Sequence, residues 1–394
     1  MAEFDLTPIA GMNNVARDDD LLRVSDDGRR HFVRDAVNVD IHADGAFSMR
    51  AGSQKAAAWR LRDVWQSPLH GDVFCVSDDR LCLLDRDGWH LVPLADVGAG
   101  AAYYEVVNNL VFVSSANGGL WSYDGHGVEQ VGIATPPIPL VSDAAGSLPF
   151  GRYGVACSWL RGSREGGVSE MRHWEGEGGF SVTFPYADAS VTGVRLYLTK
   201  CNGGELQFAG DYPLGTTVDF PLLPQLGKSA SLRYLSPMRG GRFLKLWRGR
   251  LMTAKGNVLR FSEPLAFHLH DERFGYIRLP QRISFVEPVE GGIFVGQSDS
   301  VLFLRGMDLS EIELVKTGGK PPVAGSSLPM KSDEAGRLSS GGLPACIWLA
   351  DNGYVAGTAD GGIIELQAGV LRGLAAANGR TVVYGRRIVS LVSA

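Results

Sequence analysis

A chain of 394 residues is long for one domain, given a usual ~100–200 residues per domain, although large all-β folds exceed that. Its 45% hydrophobic content can bury a real core, and 21% charge with a net charge of -5 excludes a mostly disordered chain and a general nucleic-acid-coating protein. Glycine is the outlier, with 51 residues against an average of ~7%, which points to many tight turns between short strands.

Period-2 alternation dominates from residue 73 onward. Val73 to Val76, a turn at Ser77-Asp78-Asp79-Arg80, Leu81 to Leu84, a turn at Asp85 to Gly88 and Trp89 to Val92 read as strand, turn, strand, turn, strand. A second unit follows: Tyr104 to Val107, Asn108-Asn109, Leu110 to Ser114, Asn117-Gly118-Gly119 and Leu120 to Tyr123. Asn-Asn and Asn-Gly tolerate the positive φ that tight hairpins require. Ahead of both, Gln54 to Val64, with Ala56-Ala57-Ala58, is the best short helix candidate in a chain with little helix signal.

Thr135-Pro136-Pro137-Ile138-Pro139 then predicts a stiff, extended linker. After it come Tyr153 to Leu160, a turn over Gly162 to Gly167, Gly179 to Phe184, Gly193 to Thr199, Leu206 to Ala209 and Thr216 to Phe220. These five segments, read as roughly six strands in about 90 residues, suit a small β-sandwich of immunoglobulin or fibronectin type, inserted over 137–232.

The hairpin pattern resumes at Phe243 to Trp247, Arg250 to Ala254 and Val258 to Ser262. Further units are Ile283 to Val289 with Ile293 to Gly296 and Val301 to Leu304; Ile347 to Ala350 with Tyr354 to Thr358 and Ile363 to Leu366; and Thr381 to Tyr384 with Ile388 to Val392. Six hairpin-rich units at ragged intervals predict an all-β fold, a β-propeller of about six to seven blades interrupted by the sandwich. The division is 1–136 for the first part of the propeller, 137–232 for the insertion and 233–394 for the remainder. The strand near Val37 is expected to pair with the strand near Val389 and close the ring. Gly318 to Leu343, rich in Gly, Ser, Pro and Lys, is expected to be a long loop for binding or mobility.

The candidates for chemistry are few. His268-Leu269-His270-Asp271-Glu272 is the densest group of metal-type ligands, but no third ligand of fitting spacing is visible, so a polar loop is expected. Arg17-Asp18-Asp19-Asp20 and Asp26-Asp27 lack the spacing of a calcium loop. Glu287 and Glu290 fall on opposite faces of a strand, unlike the carboxylate pair of a glycosidase. Ser25-Asp26-Asp27-Gly28 loosely matches a sialidase turn but lacks its spacing and Trp. Gly118-Gly119 and Gly361-Gly362 lie between strands, so neither is a phosphate cradle ahead of a helix. Trp59, Trp65, Trp121, Trp159, Trp247 and Trp348 are expected to pack between blades before they stack on sugars. Arg248, Arg250, Arg386 and Arg387 read as solvated hairpin tips. Cys75, Cys82, Cys157, Cys201 and Cys346 form no CxxC and read as small buried thiols; a Cys75–Cys82 bridge across a hairpin is possible in principle and not expected. No catalytic, cofactor or metal residue is assigned. Met1 to Ala10 lacks a signal-peptide pattern, and no apolar run nears the ~20 residues of a membrane span. Of 38 basic residues 30 are Arg, which suits bidentate contacts at interfaces.

Gly11-Met12-Asn13-Asn14, Arg34 to Ile41, Asp44-Gly45 and Arg50-Ala51-Gly52 resemble the opening of tail-associated structural proteins of tailed bacteriophages. Tyr153 to Glu170, Leu246-Trp247-Arg248-Gly249-Arg250-Leu251, Ala254 to Asn257, Phe261 to Pro264 and Gly291 to Gly296 look like the same group. The resemblance implies a non-enzymatic virion protein made in the host cytoplasm, either a tail nozzle or a baseplate and host-attachment component. Its partners would be other tail proteins, copies of itself in a cyclic oligomer, DNA in transit and a host-surface receptor. The rival expectation is a glycan-cleaving or glycan-binding propeller.

Overall fold

The computed structural model describes residues 9–17, 21, 31–42, 44–52, 54–55, 58–85, 87–331, 342–384 and 387–393. They are all-β, with one three-residue 3-10 turn at Leu309–Glu311 among them. Five four-stranded antiparallel sheets, each threaded up and down, supply the blades of a β-propeller-type fold, and a six-stranded sheet interrupts the series. The residues divide into two compact units, one from Arg60–Arg278 and the other from Met1–Trp59 with Leu279–Ala394.

In the first unit, blade 1 runs Arg62–Gln66, Val73–Ser77, Arg80–Asp85 and His90–Asp96. Blade 2 runs Ala102–Val107, Leu110–Ser115, Leu120–Tyr123 and Val128–Gln130. Asp78 and Asp79 (φ 46° and 62°) and Asn108 and Asn109 (50° and 63°) make the two-residue turns, in the left-handed conformation that Asp and Asn tolerate better than most residues. The two blades share a core of Phe74, Val76, Leu81, Val111, Val113 and Tyr123. Trp65 lies parallel to Tyr104 at 5.0 Å, and Phe74 meets Tyr123 edge-on at 5.3 Å. Such pairs contribute about 0.5–1.5 kcal/mol beyond their burial.

The helix expected over Gln54 to Val64 is not what forms at its described end: Arg62–Gln66 is a strand paired with Val73–Ser77. Tertiary bonding overrides the alanine-rich signal. Arg62 donates to Gly98 O and Gly100 O at 2.6 Å each and pairs with Asp79 at 3.0 Å, while Trp65 is drawn into the aromatic core.

Leu140–Arg161, a 22-residue strand, organises the inserted sheet. Its neighbours are Arg164–Val168, Arg172–Thr183, Gly193–Leu198, Gln207–Tyr212 and Thr217–Phe220. Register breaks at Ala144/Leu148 and Leu148/Gly151 divide the long strand into two limbs. One limb leads through Phe180, Val182 and Phe220, the other through Val155, Cys157, Val194 and Leu196, and all of these meet in one core. That closure over a shared interior makes the segment a sandwich. Gly146 sits at the break, where a Cβ would lie 2.3 Å from Gly178 O.

Blade 3 is Arg242–Trp247, Arg250–Lys255, Val258–Phe261 and Tyr276–Arg278, beside a short ladder of Leu235–Pro237 with Leu269–Asp271. In the second unit, blade 4 is Ile283–Val289, Gly292–Gln297, Val301–Arg305 and Glu313–Lys316. Blade 5 is Leu328–Met330, Ala345–Ala350, Gly353–Gly357 and Ile363–Glu365. Trp348, fully buried, packs on Phe285 at 5.1 Å and Phe294 at 5.6 Å and joins these two blades. The expected loop at Gly318 to Leu343 therefore contains the first strand of blade 5; residues 332–341 lie outside the described residues.

The terminal hairpin, Asn378–Tyr384 with Arg387–Ser393, is two-stranded. Thr381 Oγ1 donates to Ser326 O at 2.6 Å and ties it to the segment entering blade 5. Among the described residues the ring-closing strand pair expected near Val37 and Val389 does not form. Val39–Ile41 pairs with Phe47–Met49, whereas Arg387–Ser393 pairs with its own hairpin partner. The two are linked by side chains, Arg387 to Asp40 at 3.5 Å and Arg387 Nη2 to His42 Nδ1 at 3.3 Å.

Candidate functional site

Among the described residues, the histidine, carboxylate and arginine candidates are held in structural contacts. A carbonyl can only accept, so His268 Nε2 donates to Glu165 O at 3.0 Å, and buried His270 donates from Nδ1 to Phe261 O at 2.9 Å. Among the described residues no group of three or more His, Cys, Asp or Glu is placed to hold a metal. Glu287 is buried and accepts from Ser327 Oγ at 2.8 Å, while Glu290 is exposed at the following turn, so the two carboxylates face different surroundings. Arg250 donates to Ser262 O at 2.8 Å, and Arg387 binds Asp40. Asp18 to Asp20, Ser25 to Gly28 and Arg386 lie outside the described residues.

Trp159, Trp247 and Trp348 are buried, Trp65 and Trp121 are half-buried beside the core of blades 1 and 2, and Trp59 is exposed. Cys75 and Cys82 stand directly opposite each other on adjacent strands as free thiols. Burial, and next the neighbouring Cys82, push the Cys75 thiol up to about 11, so neither structural thiol is set up as a nucleophile.

Among the described residues, a group of cations with no carboxylate within ion-pair distance lies elsewhere, in a cavity of about 320 Å³ within the first unit. Its wall is built from the Asn117–Gly118 turn of blade 2, the chain leaving that blade, the end of the long sandwich strand at Arg161, the Pro237–Gly240 linker, and Lys255 and Arg260 of blade 3. The linker is fixed at each step. Met238 N donates to His268 O at 2.9 Å, Arg239 O accepts from Thr253 Oγ1 at 3.1 Å, and Gly240 N donates to Gly118 O at 2.8 Å. Only glycine fits at 240, because a Cβ there would lie 1.9 Å from Gly119 O.

The four cations on this wall differ in what holds them. Arg161 is engaged through both terminal nitrogens: it binds Glu129 at 3.3 Å, Ser190 Oγ at 2.8 Å and the carbonyls of Gln130 and Gly132. Asp188, the acid on the wall, is held below the usual carboxylate range, first by the Ser190 hydroxyl, then by the Ser190 amide, with Arg161 adding to it. Arg239 and Lys255 are exposed at the rim, and Arg260 is half-buried. Burial makes Arg260 less basic, and Arg239 adds to that by like charge; Glu272 opposes both. A second cavity of about 380 Å³ shares Pro237, Arg239 and Arg260 and adds Ser236, Glu272 and Tyr276.

This cleft was not legible as a site, because Lys255-Gly256-Asn257 reads as a solvated turn and Arg239 falls between elements. The excess of Arg over Lys is the one signal that pointed toward such contacts. Also missed was a sandwich network in which Arg195 binds Asp211 through two bonds of 2.8 and 2.9 Å and Glu165 at 2.8 Å. Ser158 Oγ, at 2.6 Å, and Tyr197 OH complete the shell of Glu165. It is a closed, mutually satisfied group, with the guanidinium made more basic first by Asp211 and, after burial opposes it, by Glu165.

No family model matches the chain, and no curated protein matches it. Among solved structures it is similar to BBS1N in complex with ARL6DN, at 11% identity and a TM-score of 0.33, covering 85% of this chain and 90% of that one. It is also similar to Hsv2 of Kluyveromyces lactis (8%, TM-score 0.30, 85% and 90% covered) and to apo AztD of Citrobacter koseri (12%, 0.30, 85% and 80%). The fold assignment rests on the sheet topology and not on these likenesses. Among the described residues no helix is long and apolar enough to cross a membrane.

Proposed function

We propose that the protein is a non-enzymatic structural component of a bacteriophage tail, a nozzle or baseplate piece that assembles with copies of itself in the virion. The phrases that resemble tail proteins support this reading through the places they occupy. Leu246 to Leu251 turns the first hairpin of blade 3, and Gly291 to Gly296 opens the second strand of blade 4, whose side chains are buried. These are scaffold positions, not reactive ones.

The observation that carries the proposal is the terminal hairpin. Val382, Val383, Tyr384, Leu391 and Val392 are all exposed, Tyr384 to 77% and Leu391 to 70%. A two-stranded sheet whose first strand is bridged at Asn378 to Ala324, and which carries this much exposed apolar surface, favours covering by another surface. A second copy of the chain is the occupant proposed, since a cyclic assembly presents the same patch on every subunit.

Sedimentation velocity on the purified chain tests it. A discrete oligomer is expected at micromolar concentration, and Leu391→Lys with Val383→Lys is expected to convert it to monomer with unchanged circular dichroism. A wild-type chain that stays monomeric across that range contradicts the self-assembly on which the reading depends.

A further inference from the structure

Arg239, Lys255 and Arg260 line one cavity, and among the described residues no carboxylate lies within ion-pair distance of any of them. This occurs in a protein whose net charge is -5, so it is a local concentration of positive charge against the global balance. The acid and the fourth cation on the wall, Asp188 and Arg161, are already engaged with Ser190 and Glu129. Holding Arg260 half-buried beside Arg239 costs free energy through desolvation and like-charge repulsion, and Glu272, beyond ion-pair distance, only partly offsets it. A bound anion removes both costs.

We propose that this cleft binds a small molecule through a phosphate-monoester group. Two guanidiniums and an ammonium match a dianion with three acceptor oxygens better than a monocarboxylate, which supplies one charge and two oxygens. A cavity of about 320 Å³ holds a phosphate and a few attached atoms. A nucleic-acid strand would instead need an extended basic track with stacking surfaces. The adjoining cavity shares Arg239 and Arg260, and its Ser236, Glu272 and Tyr276 give hydrogen-bonding groups to a polar, hydroxyl-bearing body.

Isothermal titration calorimetry on the full chain at low ionic strength tests the site, with inorganic phosphate, a sugar phosphate, the same sugar unphosphorylated, a tricarboxylate and a short DNA duplex as probes. Phosphate and the sugar phosphate are expected to bind and to compete, and the bare sugar to give no heat. Arg239→Gln, Arg260→Gln and Lys255→Ala are each expected to weaken binding by about tenfold or more, the loss of one charge-assisted hydrogen bond. Arg239 and Lys255 are exposed, so their variants decide the matter should Arg260→Gln fold poorly. No heat with millimolar phosphate, or unchanged affinity in the exposed variants, overturns the proposal. So does a tricarboxylate or DNA affinity exceeding that of the sugar phosphate and lost in the same variants.

Discussion

Burial outweighs the Glu165 carbonyl bond at His268 and, with the nearby Arg164 and Arg161, holds its imidazole below the ordinary value, so it is neutral in the folded protein at pH 7. The unfolded chain takes up that proton near pH ~6.5, before the folded chain does. The folded state therefore loses stability as pH falls below the unfolded value, down to the lower folded value. The melting temperature is expected to drop between pH 7 and pH 5, and His268→Gln, which keeps a donor for Glu165 O, is expected to reduce that drop. His173, also lowered by burial and by Arg152 and Arg233, leaves part of the slope in place. An identical slope in the variant contradicts this role. At this scale the sequence was a partial guide. His268 and His270 stood out as chemistry-bearing, but their ring nitrogens went to the carbonyls of Glu165 and Phe261, one of them 103 positions away, and no local spacing encodes that. The cleft cations escaped notice for the same reason: Arg161, Arg239, Lys255 and Arg260 converge only when the sandwich and two blades pack.

Blades join through polar as well as apolar contacts. Ser114, fully buried on the second strand of blade 2, donates to Gly241 O at 2.7 Å and accepts from Gly241 N at 2.8 Å, at the entry to blade 3. Ser114→Ala leaves two buried backbone groups without a partner and is expected to cost about 1–3 kcal/mol in urea unfolding. Ser122→Ala, on the same blade and half-buried, serves as the control. Equal stability of the two variants would mean that the junction is held by apolar packing alone. Among elements, the hairpins were legible wherever the turn chemistry was local, as at Asp78-Asp79 and Asn108-Asn109. Elements that depend on distant partners were not. Arg62–Gln66 is a strand because of Gly98, Gly100 and Tyr104, and Leu328–Met330 is a strand because Ala345 to Ile347 lies beside it. The long strand Leu140–Arg161 was read only from Tyr153 onward, since Gly146 and Pro149 hide its first limb.

For the whole molecule, six hairpin-rich segments of sequence become five four-stranded sheets and one two-stranded hairpin, with the inserted sandwich between the second and third sheets. Inner blade strands such as Val73–Ser77, Gly292–Gln297 and Ala345–Ala350 are buried at every position, so removing a side chain there also removes packing; the free surface is where function can be altered without loss of the fold. The two proposals, assembly through the terminal hairpin and ligand capture in the cleft, are therefore separable by substitution. The most direct measurement of the proposed role is electron cryomicroscopy of tailed particles purified from cells that carry the gene for this chain, with the particle proteins identified by mass spectrometry. The expected result is density for these blade sheets in the tail, repeated around its axis, with the terminal hairpin at a subunit boundary. Particles that lack the protein, or density in which the chain stands as a single copy with that hairpin facing solvent, would contradict the reading.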